Sequence, residues 1–196
     1  VANAIEARAT RKKNANNAKG ASVSSFYGLQ VVSGRFAIVF DASLSMAAKG
    51  KSGKRRIDTA KAQLKGTLES LSEGSLVNLI PFAARATPLW DEVMPLSEDN
   101  QAEALAFTNG LEMKYGTDVY DGLYTAFQDD KIDSIYILSD GASTEGVVKD
   151  ADGLQEELAR WNSVRGIKIH CIAIGTDHRL LKGLARDSGG QYVRVD

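Results

Sequence analysis

The sequence predicts an α/β domain, a doubly wound, mostly parallel sheet with helices on both faces. Three observations carry that prediction. First, apolar runs too short for helices recur at 36–40, 75–82, 134–138 and 167–174, the pattern of strands buried on both faces of a parallel sheet. Second, stretches with apolar residues three and four apart lie between them, so strands and helices alternate. Third, two of the runs end in a carboxylate, Asp41 and Asp140, which is where open α/β sheets bind ligands.

Residues 1–25 stand apart from the rest. They are rich in Ala and Asn and carry Arg8, Arg11, Lys12, Lys13 and Lys19 against one acid, Glu6. Residues 1–13 read as helical, with Ile5 and the alanines on one side, and 14–25 as linker, so the segment is a connector or a docking helix. The folded domain then spans 26–196. Residues 26–32, which include Gly28, predict a short strand or hairpin arm, and Ser33-Gly34 a turn before the central strand 35–41.

Beyond that strand, Lys49, Lys51, Lys54, Arg55 and Arg56 form a basic loop. It reads as solvated, with an anion-attracting rim as the alternative. Gly50-Lys51-Ser52 resembles the end of a phosphate-binding loop, but Ser45 stands where the first glycine belongs, and a nucleotide loop is rejected. A helix follows over 57–71, with Ile57, Ala60, Leu64, Leu68 and Leu71 on one face. The strand at 75–82 comes next. Residues 86–90 predict an antiparallel edge strand, because Pro88 suits an edge. Ser97 caps a helix over 98–108, with Ala102, Leu105 and Ala106 inward and Asn109-Gly110 as a left-handed stop. Thr117 or Asp118 caps the next helix, which buries Val119, Leu123, Ala126 and Phe127. After the strand at 134–138, the sequence predicts a helix at 153–162, a strand at 167–174, a helix at 180–186 stopped by Gly189-Gly190, and a last strand at 192–195. Right-handed crossovers give a six-stranded Rossmann-like sheet of order 3-2-1-4-5-6. The strands ending in Asp41 and Asp140 are then neighbours at the topological switch point.

The bulk properties narrow the function. A net charge of −1 over 196 residues argues against a nucleic-acid protein. No apolar run approaches the roughly 18 residues of a membrane span. Cys171, the single cysteine, lies in a strand pattern and reads as a buried thiol. It leaves the compartment open, with a slight lean to the cell exterior. His170 reads as a core residue and His178 as a capping or surface one, so a histidine-based hydrolase lacks its parts.

Asp41, Ser43 and Ser45, spaced two apart, supply oxygen ligands that suit a hard cation such as Mg²⁺. The alternative for this loop alone is a tight turn held by Asx and Ser hydrogen bonds. Asp41-Ala42-Ser43-Leu44-Ser45, with Thr117 in a Gly-Thr loop and Asp140 in a Ser-Asp-Gly turn, resembles the metal-ion-dependent adhesion site of von Willebrand factor A domains. Phe26-Tyr27-Gly28 before Arg35-Phe36 also resembles the lead-in of some bacterial A-domain proteins.

The resemblance implies that Ser43 and Ser45 coordinate Mg²⁺, or Mn²⁺ or Ca²⁺ in its place. It implies that Thr117 coordinates directly or through water, and that Asp41 and Asp140 hold metal-bound waters. It implies adhesion to a protein partner that gives a Glu or Asp to the ion, with no catalysis. Leu44, Met46, Tyr115 and Asp118 are then candidates for the partner-binding rim. Leu44 and Tyr115 stand where the family often has Gly, and neither change removes a ligand. Two alternatives stay open. One is a scaffold role in a larger bacterial complex, with the metal structural or vestigial. The other is a haloacid-dehalogenase-like phosphotransfer enzyme, which needs a second acid where Ser43 stands.

Overall fold

The computed structural model describes residues 24–196 apart from positions 32 and 142. The helix expected at 1–13 and nearly all of the expected linker lie outside the described residues. The described chain opens with a hairpin, β1 (Ser25–Phe26) and β2 (Leu29–Gln30), antiparallel. Its two turn residues, Tyr27 and Gly28, both have positive φ, at 52° and 82°. That is the turn geometry whose twist matches paired strands. The hairpin places Phe26 and Leu29 in the core.

The main sheet contains β3 (Arg35–Asp41), β4 (Leu76–Phe82), β5 (Met94–Pro95), β6 (Ser134–Ser139), β7 (Lys168–Ile174) and β8 (Tyr192–Val195). Their order across the sheet is β5-β4-β3-β6-β7-β8, and every pairing is parallel except β4 with β5. This is the predicted 3-2-1-4-5-6 order. The helices are α1 (Arg56–Ser70), α2 (Glu98–Gly110), α3 (Val119–Gln128), α4 (Ala151–Arg165) and α5 (Arg179–Ser188).

Strand side chains alternate between two cores, as a two-residue period requires. Phe36, Ile38, Phe40, Leu79, Tyr136, Leu138, Ile172 and Ile174 pack with α1, α2 and the hairpin. Ala37, Val39, Ile80, Phe82, Ile135, Ile137 and Cys171 pack with α3, α4 and α5. Cys171 is fully buried, and burial pushes its thiol pKa up. His170 is buried and stacked on Tyr136, with ring centroids 4.6 Å apart.

Three sequence expectations are corrected. The edge strand is not at 86–90 but at β5. The 86–90 stretch still runs along β4, with Thr87 N donating to Pro81 O at 2.9 Å and Leu89 N to Leu79 O at 2.8 Å. Pro88 cannot donate, and the buried Asn78 side chain takes over beside it. Asn78 Nδ2 donates to Trp90 O at 2.7 Å, while Trp90 N donates to Asn78 Oδ1 at 3.3 Å. Next, Gly110 is helical and not a left-handed stop; Leu111 ends α2 with φ −59°. Finally, α2 turns Ala104 and Thr108 inward, and leaves Ala102 and Ala106 exposed. The cap is as expected, with Asn100 N donating to Ser97 Oγ.

Candidate metal centre

Asp41 closes β3, and Asp140 follows the last residue of β6, its neighbour. Both carboxylates therefore sit at the carboxyl end of the sheet, where the chain leaves β3 and β6 toward opposite faces. Between β3 and α1 the chain turns through a short 3₁₀ segment, Leu44–Ala47, anchored by Met46, which is fully buried. Ser43 precedes that turn with an extended backbone and no side-chain capping bond, so its hydroxyl is not used to cap the turn.

Hydrogen bonds join the two strand ends through hydroxyls. Ser43 N donates to Asp41 Oδ1 at 2.8 Å. Ser43 Oγ and Ser45 Oγ lie 2.7 Å apart. Ser45 Oγ donates to Asp140 Oδ1 at 2.7 Å. The second oxygen of Asp41 accepts from Ser139 Oγ, again at 2.7 Å. Asp41 is completely buried. Burial raises its pKa, and the nearby Asp140 charge adds to the rise, while the bonds from Ser43 and Ser139 pull it back down.

Thr117 reaches the same end of the sheet through backbone stitching. Lys114 N donates to Ala42 O at 2.9 Å, and Leu44 N to Lys114 O at 3.0 Å, which fixes the 114–118 loop beside the serine loop. Asp118 N donates to Ala83 O at 2.6 Å. From the Asp140 side, Thr144 N donates to Thr117 O at 2.8 Å, and Thr117 N to Thr144 Oγ1 at 3.0 Å. Gly116 has φ 84°, and a Cβ there would meet Ala84 Cβ at 2.8 Å, so this crossing admits only glycine.

Of the candidate rim, Leu44 and Tyr115 face solvent, at 38% and 83% exposure. Met46 and Asp118 do not, and this corrects their assignment to the rim. Met46 packs in the core because the 3₁₀ turn points it inward. Asp118 is buried as the cap of α3, accepting from Asp121 N at 2.9 Å, and burial raises its pKa.

Two residues with roles here escape a reading of motifs. Ser139 reads only as the first residue of the Ser-Asp-Gly turn, with no role of its own, and its tie to Asp41 depends on its place as the last residue of β6. Arg56 reads as part of a solvated basic loop, yet its Nη1 donates to Asp140 Oδ2 at 2.7 Å, with the Asp140 side chain fully buried. Its signal in the sequence is its place as first residue of a helix, where a positive charge opposes the dipole.

The donor set fits a hard divalent cation. It consists of hydroxyl and carboxylate oxygens, the ligands such an ion takes, although Arg56 already neutralises one of the carboxylates. Among the described residues, no three His, Cys, Asp or Glu side chains gather for a metal.

Comparison with known proteins bears on what this architecture is. A profile of the von Willebrand factor type A domain matches residues 34–194. The chain belongs to that family. The A domain is 26% identical over 156 residues to inter-alpha-trypsin inhibitor heavy chain H4 of Bos taurus, covering 72% of this chain and 17% of that protein. It is 26% identical over 163 residues to human von Willebrand factor A domain-containing protein 3B, covering 79% of this chain and 11% of that protein. The chain thus spans under a fifth of either relative. Among solved structures, a von Willebrand factor type A protein from Catenulispora acidiphila superposes with TM-score 0.70 at 16% identity, over 82% of this chain and 38% of that one. The conserved hypothetical protein BatB from Bacteroides thetaiotaomicron gives 0.61 at 21% identity, over 82% and 89%. At these identities the structures establish the fold. Domains of this family are commonly non-enzymatic modules for protein–protein interaction. No helix among the described residues is long and apolar enough to cross a membrane.

Proposed function

We propose that this A domain binds a partner protein through a divalent cation, with Mg²⁺ the first choice and Mn²⁺ or Ca²⁺ the alternatives. Ser43, Ser45 and Thr117 hold the ion, Asp41 and Asp140 orient its waters, and the partner supplies a Glu or Asp. The observation that supports this most is the hydrogen-bonded run from Asp41 to Asp140, through the Ser43 amide and the Ser43 and Ser45 hydroxyls, at the switch point of the sheet. A cation held there supplies an open coordination position for the partner's carboxylate. The hydroxyls are neutral donors, so little of the ion's charge is quenched by the residues that touch it, and an incoming carboxylate gains more. Asp41 is fixed by Ser43 and Ser139, so the serine loop is preorganised. Leu44 and Tyr115 present apolar and aromatic surface to the partner. With Ser43 where a phosphotransfer enzyme of the haloacid-dehalogenase type needs a second acid, the site is read as a binding site.

The test is calorimetric titration of EDTA-treated protein with MgCl₂, beside Ser43→Ala. Saturable binding that weakens tenfold or more in Ser43→Ala is the expected result. No binding in the millimolar range, or equal binding by the variant, overturns the reading. A second reading, a scaffold domain with a vestigial metal site, draws support from the Arg56–Asp140 pair, which neutralises a carboxylate without any ion. Partner capture that survives both EDTA and Ser43→Ala selects it.

A further inference from the structure

Arg56 is set in this site with more care than a surface charge needs. Its Nη1 donates to Asp140 Oδ2 at 2.7 Å, while the other oxygen of the same carboxylate takes the Ser45 hydroxyl at 2.7 Å. The guanidinium and the serine loop therefore share one buried carboxylate. The Arg56 Nε is buried with no hydrogen-bond partner among the described residues. The side chain passes over Gly175, at the end of β7, where a Cβ would come 2.6 Å from Nη2 and 3.2 Å from Cζ. Gly175 has φ 84° and no side chain, and it leaves the space that the guanidinium fills. Arg56 is also the first residue of α1, where its charge opposes the helix dipole, and Arg55 before it makes no side-chain cap bond. Local helix chemistry alone favours another residue there; Asp140 supplies the compensation.

We propose that Arg56 is a built-in counter-ion of the metal site, holding the charge position at Asp140 in the ion-free domain and setting how tightly a divalent cation binds. This rests on the reading that Ser43, Ser45 and Thr117 hold a cation. The reasoning is a charge count. Asp41 and Asp140 are two carboxylates joined through the serines, and one guanidinium leaves a net charge of −1. An entering divalent cation meets that guanidinium as a like charge at short range in a partly buried site, where screening by water and salt is weak. Removing the guanidinium leaves two uncompensated carboxylates. Such a site is less stable empty and more avid for the cation. Arg56 thus trades affinity for stability of the ion-free fold, and the ion binds weakly enough for its occupancy to follow the surrounding concentration.

The test is MgCl₂ titration of EDTA-treated wild type, Arg56→Gln, Arg56→Lys and Gly175→Ala by calorimetry, with thermal melts of each in EDTA and in saturating Mg²⁺. Arg56→Gln is expected to bind Mg²⁺ at least tenfold more tightly, a difference of about 1.4 kcal/mol. It should also melt lower than wild type in EDTA and regain most of that loss in Mg²⁺. Arg56→Lys keeps the charge and should stay within about threefold of wild type, which separates charge from packing. Should Arg56→Gln fail to fold, Gly175→Ala decides the matter. Its added methyl pushes the guanidinium off Asp140 and should also tighten Mg²⁺ binding. Wild type that binds Mg²⁺ while neither Arg56→Gln nor Gly175→Ala binds it more tightly overturns the counter-ion and leaves the metal-bridged reading standing. Wild type that does not bind while Arg56→Gln does supports the counter-ion and overturns metal bridging by the native domain. Absence of binding in all four overturns both.

Discussion

Removal of the Ser139 hydroxyl tests how the central carboxylate is held. Ser139 is 1% exposed, and its Oγ donates to Asp41 Oδ2 at 2.7 Å. A hydrogen bond to a charged group contributes about 1.5–3 kcal/mol. In Ser139→Ala, Asp41 keeps the bond from Ser43 N and loses the other. The bond serves the ionised carboxylate, so its value depends on pH. Burial places the native pKa of Asp41 above that of an unfolded aspartate, and Ser139 lowers it. A group raised in the native state favours folding most below the unfolded pKa, and that contribution is lost as pH rises through the native value. Removing Ser139 raises the native pKa further, so the variant loses more on the way to neutrality. Below about pH 4, near the unfolded aspartate pKa, Asp41 is protonated in both proteins and the difference closes. Urea unfolding in EDTA should therefore show a loss of about 1.5–3 kcal/mol at pH 8 and under about 1 kcal/mol at pH 4. Equal losses at the two pH values, or a loss below about 0.5 kcal/mol at pH 8, refute the reasoning.

Other perturbations follow from the same geometry. Asp41→Asn removes a buried charge while keeping an acceptor for Ser43 N, so the EDTA-treated variant should gain about 1 kcal/mol at pH 8 in urea unfolding and lose any Mg²⁺-induced rise in melting temperature. Gly122→Ala on α3 puts a Cβ 3.0 Å from Phe82 Cδ1 and 3.2 Å from Val39 Cγ1. The overpacking cost of about 1–3 kcal/mol outweighs the helix-propensity gain of about 1 kcal/mol, and the melting temperature should fall. Cys171 should resist a thiol reagent in the native state and react fully in denaturant, because burial both shields the thiol and disfavours its thiolate.

The order of the six strands was legible because four apolar runs and the helices between them leave few topologies once crossovers are right-handed. The short edge strand was misplaced for a physical reason. Pro88 marks an edge position correctly, but the buried amide of Asn78 replaces ladder bonds at Trp90, and no hydropathy pattern encodes that exchange. Asn109-Gly110 looked like a helix stop, yet α2 runs through it and ends at Leu111 without a left-handed residue. At the site, Asp41, Ser43, Ser45 and Asp140 are joined by hydrogen bonds, and Thr117 is carried to them by the Lys114 and Thr144 contacts. Met46 was misjudged because a 3₁₀ turn, unlike an extended loop, buries its third residue. Arg56 was hidden among its basic neighbours, since the helix was read from residue 57, one position past the charge that opens it and meets a carboxylate 84 positions away.

The Asn78 amide has a consequence for how this domain coexists with copies of itself. The outer edge of β4 faces a stretch that is not a strand, yet backbone and side-chain amides engage it from Leu79 to Pro81, and β5 pairs with it at Leu76 and Val77. Pro88 and Pro95, lying on the covering segment, have no N–H to offer outward. A second chain arriving at this flank finds no regular row of free peptide groups to extend. A domain of a family commonly used for protein–protein interaction is thereby kept from adding strands indiscriminately along that side.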